Sequence, residues 1–86
     1  MTAEQLLDVA RTFCRYFPDV RVARYWALNA AAAACGARID GIAVHGSSGA
    51  AAEALSQVIR AVKPLSARND EFADVCAEIY RSLVEG

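Results

Sequence analysis

The run Tyr25-Trp26-Ala27-Leu28-Asn29-Ala30-Ala31-Ala32-Ala33-Ala34-Cys35 carries one polar side chain, Asn29, so a helix built from it is apolar on every face. Such a helix is normally surrounded by protein. Five consecutive alanines, Ala30 to Ala34, also let neighbouring backbones approach closely, whether those belong to this chain or another. The demand is severe because the whole sequence has 86 residues, and a chain of that size buries only a little over ~60% of the surface its unfolded form exposes. With 56% hydrophobic letters and a net charge of −1, the composition belongs to a folded chain rather than a disordered one. One helical domain over residues 1–86 is expected.

The helices follow from spacing and punctuation. Leu6, Val9, Ala10, Phe13, Cys14 and Phe17 recur at intervals of three and four, which predicts an amphipathic helix over Ala3 to Phe17, with Thr2 as N-cap and Pro18 as its end. Asp19 is placed to cap a second helix, Val20 to Cys35, which Gly36 would close. In the third helix Ala51, Leu55, Val58, Ile59 and Val62 form the inner face; Ser47 or Ser48 caps it and Pro64 stops it. Asn69 or Asp70 caps the fourth, which carries Phe72, Val75, Cys76, Ile79 and Leu83 as its stripe. Matching spacings in the last two helices predict a hairpin. The expected fold is all-α, a small four-helix bundle-like domain with a long Gly-rich connection between helices 2 and 3. Within that connection Ile42-Ala43-Val44 reads as extended, and a packed loop is favoured over an edge strand paired with another copy.

No segment reads as a targeting or membrane element. Met1 to Asp8 carries Glu4 and Asp8 where a secretory leader carries base, and the longest nearly uncharged stretch, Tyr25 to Ala37, falls short of the about 20 residues a span needs. Three cysteines, Cys14, Cys35 and Cys76, are odd in number and lack a C-x-x-C pair. They read as reduced thiols, and the expected location is cytoplasmic.

Chemistry is sparse. His45-Gly46-Ser47-Ser48-Gly49, ahead of a helix, offers an anion- or phosphate-binding loop or an oxyanion loop, with backbone N–H groups and the helix dipole aimed at the ligand. The string resembles the loop after the third strand of serine hydrolases, but the chain has neither their Gly-x-Ser-x-Gly elbow nor the length for their sheet. A glycine-rich loop ending in a serine cap accounts for the same letters. Asp40, His45 and Ser47 supply the letters of a triad, and the cysteines could in principle use His45 as a base. All three cysteines, however, fall on apolar helical positions, where thiols are inert. One histidine and scattered cysteines make no metal site. Asp70, Glu71, Asp74 and Glu78 form an acidic row that is read as solvated or as facing a basic partner. No cofactor and no enzymatic activity are expected.

Charge is distributed unevenly. Residues 11 to 36 hold Arg11, Arg15, Arg21 and Arg24 against Asp19, a net of +3, whereas residues 69 to 86 hold five acids against Arg81, a net of −4. The arginines, beside Tyr16, Tyr25 and Trp26, could meet phosphates, yet a pI near 5.7 is low for a nucleic-acid module. An acidic protein surface is the favoured complement. Trp26 is expected in the core, with a subunit or partner interface as the other reading. Together these features predict a small protein-protein interaction module, an adaptor, inhibitor or regulatory subunit that self-associates as a homo-oligomer. Its interface residues would be Arg21, Arg24, Tyr25, Trp26, Asp70 and Asp74. A nucleic-acid-binding regulator using the four arginines is the alternative.

Overall fold

The computed structural model describes residues 1–35, 38–39, 42–43 and 48–85, with the backbone alone at 35, 38, 39, 42, 43, 48, 84 and 85. The elements run α1 (Ala3–Tyr16), α2 (Tyr25–Cys35), β1 (Arg38–Ile39), β2 (Ile42–Ala43), α3 (Ser48–Val62) and α4 (Asn69–Glu85). The fold is all-α, four helices packed as a small bundle, apart from a two-residue antiparallel ladder that pairs Arg38 with Ala43 and Ile39 with Ile42. The connection is therefore not only a packed loop. Asp40-Gly41 between two isoleucines is the sequence signal for such a hairpin. The proposed closure of α2 by Gly36 lies outside the described residues, as does capping of α3 by Ser47.

α1 forms as its letters indicate. Gln5 N donates to Thr2 Oγ1 at 3.1 Å and Thr2 N donates to Gln5 Oε1 at 2.8 Å, a reciprocal capping box that satisfies two otherwise orphaned donors. Leu6, Ala10 and Phe13 are buried; Phe13 stacks at 4.8 Å on Phe17 and at 5.5 Å on Phe72 of α4. Tilted aromatic pairs at such distances add to the area they bury.

α2 begins five residues later than the spacing predicts, and Asp19 does not cap it. Val20 to Arg24 instead runs extended against the α3–α4 connector, with Val22 bridged to Leu65. Ser66 N donates to Arg21 O and Ala23 N to Pro64 O, both at 2.8 Å; Arg24 N also donates to Pro64 O, at 3.0 Å. The β-branched alternation explains the difference: Val20 is buried, Arg21 exposed, Val22 half-buried and Ala23 exposed, a period of two rather than 3.6.

α3 and α4 form the expected hairpin and pack more extensively than any other pair. Small residues make the seam. Ala51, Ala52 and Ser56 of α3 and Ala73 and Ala77 of α4 are buried along with Leu55, Ile59, Phe72 and Cys76. The stripe expected on α4 is consequently rotated: Val75 and Leu83 are exposed, while the alanines turn inward and let the backbones approach. Fully burying a side chain such as Phe72 or Leu55 stabilises by about 1.5–3 kcal/mol. The connector is tight: Lys63 and Arg68 adopt positive φ values of 51° and 58°. Asn69 does not cap α4. Its amide accepts from Leu65 N at 2.9 Å and donates to Leu65 O at 3.0 Å, holding the connector against the helix start. Among the described residues no helix is long and apolar enough to cross a membrane.

Candidate functional site

The outer side of the α1–α2 pair holds most of the residues that the sequence points to. Ala27, Leu28 and Ala31 turn α2 inward, which leaves Tyr25 62% and Trp26 60% exposed, with Asn29 and Ala33 also exposed. Trp26 is thus a surface residue and not part of the core. One turn of α2 is enough to explain it, because Leu28 and the alanines already fill the space that α3 leaves. An aromatic pair this open is unusual beside so thin a core, and tryptophan and tyrosine are the side chains most enriched at interface hot spots.

Next to the aromatics, Arg11 and Arg15 of α1 and Arg21 of the extended segment border one depression of about 520 Å³, floored by Cys14, Val20, Val22 and Tyr25. All three guanidinium groups are exposed, and none makes an ion pair among the described residues. Arg21 is fixed through its backbone, whose N–H donates to Ser66 Oγ at 3.0 Å. Arg24 is not part of this cluster: its Nη1 donates to Lys63 O at 2.9 Å, which ties the start of α2 to the end of α3.

The acidic residues are placed differently. Asp70 and Asp74 do not present free carboxylates, because Arg60 of α3 reaches both, with Nη2 at 2.5 Å from Asp74 Oδ1 and Nε at 3.6 Å from Asp70 Oδ1. Nη1 of the same guanidinium also donates to Ser56 Oγ, a buried hydroxyl. Arg68 pairs with Glu71 at 3.0 Å while its guanidinium lies 4.3 Å from the Phe17 ring centroid, and Arg81 pairs with Glu78 at 3.7 Å. The row that reads as net acidic in the sequence is largely compensated by arginines from α3, the connector and α4 itself. Arg60 is the residue that sequence reasoning missed. It lies in the last turn of α3, where the helix dipole also favours a cation.

A second groove, about 520 Å³, runs between α1 and α4 and is lined by Val9, Phe13, Tyr16, Phe17, Val75 and Ile79 with Asp8 and Thr12. It follows from the rotation of α4, which takes Val75 out of the core. Tyr16 stands at its edge, largely exposed.

The thiols are not poised for chemistry. Burial pushes the Cys76 thiol up to about 12 and also raises that of Cys14, so neither supplies a thiolate near neutrality. The side chain of Cys35 lies outside the described residues. So do His45, Gly46 and Ser47; Ser48 is described only as the first residue of α3. Among the described residues no group of His, Cys, Asp or Glu is arranged to hold a metal ion. No family model, curated protein or solved structure matches the chain.

Proposed function

We propose that this chain is a small protein-protein interaction module that self-associates through the outer face of α1 and α2. The observation that carries the reading is the exposure of Tyr25 and Trp26 on a helix whose other residues are mostly alanine. Exposed aromatics on a small-residue background offer a partner a flat surface with two anchors. Arg11, Arg15 and Arg21, without an ion pair among the described residues, add a charged rim beside them, which steers association more than it adds affinity. Among the described residues Cys14 and Cys76 are free thiols, which fits a reducing compartment such as the cytoplasm.

Light scattering at micromolar concentration tests this. The native chain is expected as a dimer or larger, and Trp26→Ala or Ala33→Glu as a monomer of unchanged helicity. Ala33 is the better site for the charge because Ala32 is half-buried against the core. A native chain that stays monomeric removes self-association. Affinity capture from native extract, with a nuclease-treated parallel, then looks for a different protein.

One observation favours a second reading. Three unpaired guanidinium groups around a single depression beside Tyr25 also suit a phosphate backbone with a stacked base. That reading expects a labelled single-stranded oligonucleotide to bind at low salt and to be released by Arg21→Ala. No binding at low salt ends it.

A further inference from the structure

Glu4, Asp8, Arg11 and Arg15 are all exposed on α1, and at about 100° per residue they fall within roughly 60° of arc on the side away from Leu6, Ala10 and Phe13. None of the four forms an ion pair within the chain among the described residues. Their order is acid, acid, base, base. The spacing is symmetric about the point midway between positions 9 and 10, so the stripe is its own complement when reversed. Glu4 and Arg15 stand roughly 16 Å apart along the helix, too far to neutralise each other.

We infer that a second copy of this chain docks antiparallel along α1, with Glu4 facing Arg15 of the other copy and Asp8 facing its Arg11, each pair occurring twice about a two-fold axis. This rests on the self-association reading above and supplies its geometry. A two-fold interface must be self-complementary, and a helix face with this order of charges meets that condition only in the antiparallel sense. The apolar area comes from the flank. Leu7 and Cys14 are half-buried there, and Tyr25 stands between the two depressions that border the stripe, one holding Glu4 and Leu7, the other Arg11, Cys14 and Arg15. Exposed ion pairs add little affinity but choose partner and orientation. The same order of charges also suits the dipole of α1 by itself. That effect acts on the stability of one chain, so it cannot produce rescue between two.

Mixing separates the two. Arg15→Glu and Glu4→Arg are each expected to weaken self-association about tenfold or more in light scattering at low salt, because like charges then face each other at both ends of the dimer. An equimolar mixture restores association to the native level: each mixed dimer places two carboxylates of one copy against two guanidinium groups of the other. Circular dichroism checks that both variants keep their helices. If either loses them, Asp8→Arg and Arg11→Asp exchange the inner pair and serve the same test. A mixture that remains monomeric, or a variant that dimerises as well as the native chain, overturns the pairing. If that happens while Trp26→Ala still breaks the native dimer, only the α1 geometry falls; a native chain that never associates takes the self-association reading with it.

Discussion

Arginines occur on both sides of this molecule, and their surroundings divide it. In the α3–α4 hairpin Arg60 reaches Asp70, Asp74 and Ser56, and Arg68 and Arg81 each meet a glutamate three residues away. On the α1–α2 face Arg11, Arg15 and Arg21 are exposed, and none forms an ion pair among the described residues. The first group is used up within the fold. The second is left for something outside it. Counting charges along the sequence misses this, since the residues with the larger formal charge, those of α4, are the ones most nearly neutralised.

The comparison can be broken most directly at the core that both regions share. Phe72→Ala removes a fully buried ring that touches Phe13 of α1 and is expected to cost about 3–5 kcal/mol in a denaturant titration, with the two regions unfolding together. Separate transitions would mean that the hairpin is stable without α1. Arg60→Ala comes next, at about 1–2 kcal/mol. Its ion pairs are partly exposed and contribute little; the loss comes mainly from stranding the buried Ser56 hydroxyl.

Cysteine gives a smaller and pH-dependent contrast. The Cys76 thiol keeps its proton in the fold up to about 12 against an ordinary value of 9.0, whereas an unfolded chain ionises it from the lower value. The native state then holds more protons than the unfolded one, so stability is complete below about 9 and declines as the pH rises towards 12. Thermal melts at pH 10 should show a loss of roughly 1 kcal/mol, which Cys76→Ala removes and Cys14→Ala leaves largely in place. Smallest of all, Arg15→Ala is expected to change monomer stability by less than about 0.5 kcal/mol. An effect as large as that of Arg60→Ala would dissolve the distinction between the two regions.

Much of this was readable in the letters. Thr2 as N-cap, the spacing of Leu6, Ala10 and Phe13, and Pro64 as a stop define the start and inner face of α1 and the end of α3 through local rules that act within a turn or two. What escaped depends on distant partners. Val20 to Arg24 alternates with a period of two, but the Leu65 and Pro64 backbone that holds it extended lies far along the chain. The rotation of α4 is decided by Ala73 and Ala77 fitting α3, a packing choice that a hydrophobic stripe led by Val75 and Leu83 disguises. All six proposed interface residues are exposed, but Arg24 is bonded to the Lys63 carbonyl and Asp70 and Asp74 are paired with Arg60, whereas the side chains of Arg21, Tyr25 and Trp26 make no such bond among the described residues. That distinction turns on the reach of the Arg24 side chain to the Lys63 carbonyl and of Arg60 to the two aspartates, which no spacing rule encodes.

The Pro64 carbonyl has a consequence for the order of folding. It accepts the N–H groups of both Ala23 and Arg24 immediately before α2 begins, so it does for this helix what a capping side chain does for α1. A local cap is available as soon as its own turn forms, but this one arrives only when the α3–α4 hairpin has closed its connector. The start point of α2 is therefore expected to be fixed no earlier than that connector, so the middle of the first half of the chain is finished against the second.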